Sequence, residues 1–167
     1  MDTIPYEIER KFLIRMPDIA WLETEAKASQ IVQIYLESEE KCSERVRSRT
    51  TDGRTVYTHT IKTHVSSIRR IERESEVGRE TYERLLRRAD PQRHPIEKTR
   101  YCFARNGLVY EIDVFPFWKR QAFLEIELED ENQPIPWPEE LVCIREVTDD
   151  RRYTNAALAF EIPEEDL

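Results

Sequence analysis

Charged residues recur along this sequence in short runs whose members stand two positions apart. Glu7, Glu9 and Lys11 form the first; Arg45, Arg47 and Arg49 form a purely basic one; Glu72, Glu74 and Glu76 form a purely acidic one. Lys98 with Arg100, Glu111 with Asp113, and Glu125, Glu127 and Glu129 continue the series. Carboxylate oxygens are hard ligands that suit Mg2+ or Mn2+, while Arg and Lys hold phosphate oxygens, Arg often in a two-pronged manner. Separate acidic and basic clusters therefore suit a ligand that is strongly anionic and arrives with a divalent cation, and a polyphosphate with its metal supplies both partners. The plain alternative is a wet sheet face held by cross-strand ion pairs worth about 0.2–1 kcal/mol each. Runs of like charge weigh against it, because their members repel one another until something neutralises them.

Other routes to the same chemistry are missing. The chain has Gly53, Gly78 and Gly107 and no glycine-rich phosphate loop, so any phosphate must be held by side chains. No Ser-His-Asp or Cys-His arrangement can be picked out. His59, His64 and His94 lack the spacing of a zinc hydrolase and read as structural or surface residues. Cys42, Cys102 and Cys143 are odd in number and far apart, which fits reduced, inert thiols better than a disulfide framework.

The elements that must position these charges can be read from periodicity. Alternation with period two marks strands at 5–15, 30–37, 42–50, 55–64, 68–77, 96–105, 108–116 and 122–130, eight in all. Tyr6, Ile8, Phe12 and Ile14 take one parity of the first, and Glu7, Glu9 and Lys11 the other. Ile112, Val114, Leu124, Ile126 and Leu128 likewise oppose the charges near them, so one face is apolar and the other charged. Asp52-Gly53 and Asn106-Gly107 are hairpin dipeptides, which makes the pairing sequential and antiparallel. Helical spacing appears at 17–28, at 79–89 and weakly at 152–160, and Pro134, Pro136 and Pro138 mark a loop. Many antiparallel strands with few helices predict a mainly β, α+β fold: an eight-stranded antiparallel closed barrel, since closure removes exposed edges. A length of 167 residues supports a single domain over 1–167.

Composition bounds the partners. A formal net charge of -8 opposes nucleic acid and anionic membrane surfaces. No apolar run approaches the roughly 20 residues of a membrane span, and the start lacks a basic-then-apolar leader, so the expected location is the cytoplasm.

The run Glu7-Ile8-Glu9-Arg10-Lys11-Phe12-Leu13 resembles the ExExK signature of the CYTH superfamily, the triphosphate tunnel metalloenzymes. Ordered matches follow it: Gln33-Ile34-Tyr35-Leu36, Arg45 with Arg47, Lys62, Glu74 with Glu76, and Glu97-Lys98-Thr99-Arg100-Tyr101. They run on through Glu111-Ile112-Asp113, Leu124-Glu125-Ile126-Glu127, and the segment from Glu146 to Asn155. The resemblance implies a tunnel of eight strands with charges inside and helices packed outside. It implies metal ligands at Glu7, Glu9, Asp113, Glu125 and Glu127, and phosphate-binding groups at Lys11, Arg45, Arg47, Lys62 and Arg100, with Arg151 or Arg152, the latter preferred. In the bacterial triphosphatase-like members a Lys and a Tyr form a catalytic pair, matched here by Lys11 and Tyr35. The implied activity is Mg2+- or Mn2+-dependent hydrolysis of a small-molecule triphosphate, inorganic triphosphate first. Three alternatives stand beside it: a class IV-type adenylate cyclase, a thiamine triphosphatase, and a non-catalytic polyphosphate- or nucleotide-binding module. The thiamine enzyme loses ground because Ser43 stands where its animal members carry a ring-stacking tryptophan. Dimers are common in the family, which extends the expectation of a homodimer to this chain.

Overall fold

The structure, a computed structural model, describes residues 8–65 and 70–166, with the side chains of His64 and Arg70 left out. Nine strands are present: β1 (Ile8–Arg15), β2 (Lys27–Leu36), β3 (Cys42–Thr51), β4 (Arg54–His64), β5 (Arg70–Val77), β6 (Ile96–Arg105), β7 (Leu108–Val114), β8 (Gln121–Leu128) and β9 (Cys143–Glu146). The helices are α1 (Ile19–Glu25), α2 (Arg79–Leu85) and α3 (Asn155–Leu158), with 3-10 turns at Leu86–Arg88 and Arg151–Tyr153.

Mainly β architecture with antiparallel pairing is as the alternation predicts. The eight-stranded closed barrel is corrected on two counts. A ninth strand exists, and among the described residues the sheet is not closed by hydrogen bonds: β5 and β9 each pair on one side only. β9 has four residues and meets β1 through a register shift between Leu13 and Ile14, too short and irregular a stretch to carry a period-two signature. Closure protects a sheet by removing its edges. Here one open edge is charged and the other is short, which are alternative protections.

Local chemistry explains the boundaries. The dipeptides Asp52-Gly53 and Asn106-Gly107 all take positive φ, between 52° and 75°, the mark of two-residue turns that set β3 on β4 and β6 on β7. α1 is shorter than the expected 17–28. The Asp18 carboxylate accepts from Ala20 N–H at its start, and Ala26 is already extended, handing the chain to β2. The expected 79–89 segment is α2 continued by a 3-10 turn, and 152–160 breaks into a 3-10 turn and the single turn of α3.

The chain forms two compact units. The first holds β1, α1, β7, β8, β9 and β6 from Thr99 on. Its apolar parity is buried in one cluster: Phe12 and Ile14 of β1, Tyr101 and Phe103 of β6, Tyr110 and Ile112 of β7, Leu124 and Ile126 of β8, with Leu22 of α1 and Leu141 over them. The Tyr110 hydroxyl donates to Pro136 O, fastening the proline-rich loop to this layer. Trp137 sets its ring edge-on to Phe12 with centroids 5.1 Å apart, whereas Trp118 is buried against Phe115 and Phe123. The second unit holds β3, β4, β5, α2, α3 and β2 from Ser29 on. On the strand parity opposite to Arg45 and Arg47, Arg88 grips both oxygens of Glu44, at 2.9 and 2.8 Å, and Glu44 also meets His59 Nε2 at 2.7 Å. Hydrogen bonding to Arg88 holds the Glu44 carboxyl below the usual range. Tyr82 of α2 lies against Tyr57 of β4 at 4.5 Å, closing the same face.

No described helix is long and apolar enough to cross a membrane. No disulfide joins the cysteines; Cys42 and Cys102 are half-buried and Cys143 is exposed.

Leu22 is fully buried beneath the first unit's sheet. Leu22→Ala should lower unfolding free energy by about 3 kcal/mol, read as a lower urea midpoint at constant slope.

Candidate functional site

In the first unit, register places the charged parity of four strands in rows. Lys11 of β1 stands opposite Glu125 of β8, and Glu125 opposite Glu111 of β7. One row along, Asp113 of β7 stands opposite Arg100 of β6. Glu9 stands opposite Glu127, both exposed.

Arg100 binds most of this face together. Its Nε donates to Asp113 Oδ1 at 2.8 Å and a terminal nitrogen to Oδ2 at 3.0 Å, a two-pronged pair. Its other terminal nitrogen lies 2.9 Å from Glu111, and Glu125 is 3.8 Å away. Burial works against the guanidinium charge, but hydrogen bonding to Asp113 and the fields of Asp113, Glu111 and Glu125 outweigh it and raise its pKa. Lys11 Nζ stands 3.5 Å from Glu125 Oε1 and 4.1 Å above the centre of the Phe123 ring. Its backbone is fixed from outside the strand, since Lys11 N–H donates to Thr148 Oγ1 at 3.0 Å and Val147 N–H to Lys11 O at 2.8 Å.

Two cations do not neutralise all the carboxylates. The Glu9 carboxyl is pushed up to about 8, first by a hydrogen bond shared with Glu125, then by partial burial and by the charges of Glu125 and Glu111, with Lys11 opposing. Glu9 is an exposed residue, so the contact with Glu125 counts for more than desolvation. Two carboxyls in contact offer a hard divalent cation charge and donor type of the right kind. Among the described residues no three His, Cys, Asp or Glu converge into a group that could hold a metal ion, and Asp113 is turned to Arg100. Glu7 lies outside the described residues.

In the second unit the rows run from β2 to β5. Tyr35, Arg45, Thr60 and Glu74 form one, and Gln33, Arg47, Thr58 and Glu76 the next. Lys62 pairs with Ser43 on one side and Glu72 on the other. Arg45, Arg47 and Lys62 are half-buried, Glu72, Glu74 and Glu76 exposed. Thr60 Oγ1 donates to Glu74 Oε1 at 3.2 Å, tying that glutamate to β4. The Tyr35 phenol is buried, accepts from Gln33 Nε2 at 2.8 Å and is hydrogen-bonded to Arg45. Burial pushes its pKa up, while Arg45, Gln33 and Arg93 pull the other way. Arg151 and Arg152 are exposed on their 3-10 turn, and Arg152 lies over its neighbour Tyr153 at 5.4 Å.

Glu9, Lys11, Arg100, Asp113, Glu125 and Glu127 thus share one face of the first unit, and Tyr35, Arg45, Arg47 and Lys62 one face of the second. Sequence reasoning passed over Thr148 and Gln33. Gln33 carried a signal: a polar residue between Ile31 and Tyr35 on the same strand parity. Thr148 carried none, because its role depends on where the chain returns after β9.

The CYTH domain pattern matches residues 5–148. An inorganic triphosphatase of Nitrosomonas europaea is 34% identical over 165 residues, covering 94% of this chain and 99% of that protein. A crystal structure of an inorganic triphosphatase superposes with a TM-score of 0.68 at 30% identity, covering 98% of this chain and 100% of the other. A Pyrococcus horikoshii protein at 21% identity shares the fold with a TM-score of 0.54, over 76% of this chain and 80% of its own.

Because Glu9 holds its proton to about pH 8 in the folded state against an ordinary 4.5, its contribution to stability is full below about 4.5 and is lost as pH rises through 8. In metal-free buffer the melting temperature of the wild type should therefore fall relative to Glu9→Gln across that window. A constant difference between the two proteins would mean that Glu9 and Glu125 share no proton.

Proposed function

The chain belongs to the CYTH domain family, and from that premise we propose that it is a metal-dependent inorganic triphosphatase, cleaving the terminal phosphoanhydride with water to give orthophosphate and pyrophosphate. The observation that carries the proposal is the sorting of charge by strand face: carboxylates around Arg100 and Lys11 in one unit, Arg45, Arg47 and Lys62 in the other. The Nitrosomonas europaea triphosphatase, similar over nearly the full length of both chains, supports inorganic triphosphate as the substrate.

We assign Mg2+ or Mn2+ to Glu9 and Glu125, which meet, with Glu7 and Glu127 as further ligands and Asp113 joining on release from Arg100; the ion supplies charge neutralisation on the phosphates when bound. Arg45, Arg47 and Lys62, with Arg152, in the second unit and Arg100 in the first are the groups we assign to phosphate oxygens. Phosphoryl transfer asks little covalent chemistry of a protein, so positioning and charge stabilisation carry most of the rate. Lys11 stabilises charge on the terminal phosphoryl oxygens. Tyr35 keeps its proton at neutral pH, because burial raises its pKa. With Gln33 donating to the phenol oxygen, the Tyr35 O–H is left to donate, and we assign it to the attacking water. The protein works as one domain, in the cytoplasm, on a small molecule, without nucleic acid, and as a homodimer.

Purified protein assayed against inorganic triphosphate, ATP and thiamine triphosphate, each with Mg2+ and with Mn2+, should release orthophosphate fastest from the first. Pyrophosphate and a cyclic nucleotide from ATP would identify a cyclase instead, and tight binding without turnover a non-catalytic module. Lys11→Ala should cost at least about 100-fold in kcat with the melting temperature little changed, since its backbone hydrogen bonds survive.

A further inference from the structure

Arg93 takes no part in the charged rows, yet it is built into the surroundings of Tyr35. Its guanidinium lies against two aromatic rings, with its central carbon 5.0 Å from the centre of Tyr35 and 4.5 Å from that of Phe160. Nε is buried and makes no hydrogen bond among the described residues; Asp90 Oδ2, 3.5 Å away, balances its charge as an ion pair.

The loop that carries Arg93 is tied to both rings through the backbone. Asp90 N–H donates to Tyr35 O at 3.0 Å, Arg93 N–H to Asp90 O at 3.1 Å, and His94 N–H to Ala159 O, next to Phe160, at 2.9 Å. Asp90 Oδ1 accepts from Gln92 N–H at 2.9 Å, which shapes the turn. A bridge between Leu36 and Ala89 adds a further fastening beside Tyr35. Ring, cation and loop therefore form one assembly, with the phenol oxygen pointing away from it toward Gln33 and Arg45.

We propose that Arg93 is a positioning residue for the Tyr35 hydroxyl, holding the ring by a cation–π contact and adding positive charge against the face of the phenol. The proposal rests on the assignment of Tyr35 to the reaction. A guanidinium against the ring withdraws electron density and strengthens the O–H as a donor, and burial of the Tyr35 ring makes the contact stronger than it would be between two exposed groups. Ring orientation matters equally, because small misplacement of a group that orients the nucleophile costs rate. An arginine suits the place better than a lysine, since its flat, weakly hydrated group stacks on two rings at once.

The test is a double-mutant cycle on the full chain, read as kcat and KM for inorganic triphosphate with melting temperature as a check on folding. Arg93→Met keeps an unbranched apolar side chain against the rings and removes the charge. Tyr35→Phe keeps the ring and removes the hydroxyl. Arg93→Met should lower kcat about tenfold with KM changed less than twofold, and Arg93→Lys should recover part of the loss. In the Tyr35→Phe background, Arg93→Met should change kcat less than twofold, because the group it serves is gone. If Tyr35→Phe alone leaves kcat intact, the assignment of Tyr35 fails and the proposal with it. If Tyr35→Phe is slow but Arg93→Met is equally damaging in both backgrounds, or harmless in the wild type, the proposal about Arg93 fails and the assignment of Tyr35 stands. Should Arg93→Met unfold, the Tyr35 hydroxyl proton followed by NMR in Arg93→Lys gives a second reading: a shift supports the contact, and an unchanged resonance overturns it.

Discussion

Asp113 is buried to 1% exposure, and Arg100 meets both of its oxygens there. A buried charge whose partner is removed costs several kcal/mol, so this pair constrains everything around it. Having committed two donors to Asp113, Arg100 reaches Glu111 with a third and leans toward Glu125. Lys11 takes a further share of Glu125. Where Glu9 and Glu125 meet, their contact pushes the Glu9 carboxyl up to about 8. Charge balance, more than packing, decides which carboxylates are committed to the fold and which stay open to a ligand.

The second unit resolves the same problem differently. Its cations and its acids sit at different depths of the sheet, with Arg45, Arg47 and Lys62 on inner strands and Glu72, Glu74 and Glu76 on β5. Threonines stand between them in two rows, so arginine and glutamate are not direct neighbours.

Features decided by local rules were legible in the sequence. Alternation located eight of the strands, and Asp52-Gly53 and Asn106-Gly107 fixed two turns, because positive φ at two successive positions is a local demand. The charged face followed from parity alone, and the ordered motifs carried the family. Features decided by register or chain return were not legible. That Arg100 serves three acids depends on how β6, β7 and β8 align, and no spacing in the sequence states it. β9 has four residues and no period to detect. Lys98 shares the strand parity of Arg100 and the same charge, yet is buried to 3% exposure, a depth set by neighbours from distant parts of the chain. Trp118 and Trp137 read alike as sequence, and packing alone puts the first in the core and leaves the second 38% exposed.

β5 pairs with β4 on one side and among the described residues has no strand on the other. Such an edge presents unpaired backbone groups to any passing chain, and an apolar strand in that place invites stacking into aggregates. Here Glu72, Arg73, Glu74 and Glu76 are all exposed along it, so a second copy arriving in parallel register would set glutamate beside glutamate. The acids that end the rows of Arg45 and Arg47 thereby also guard the border of the sheet, and a mutant that neutralised them would at the same time remove the protein's defence against sticking to itself.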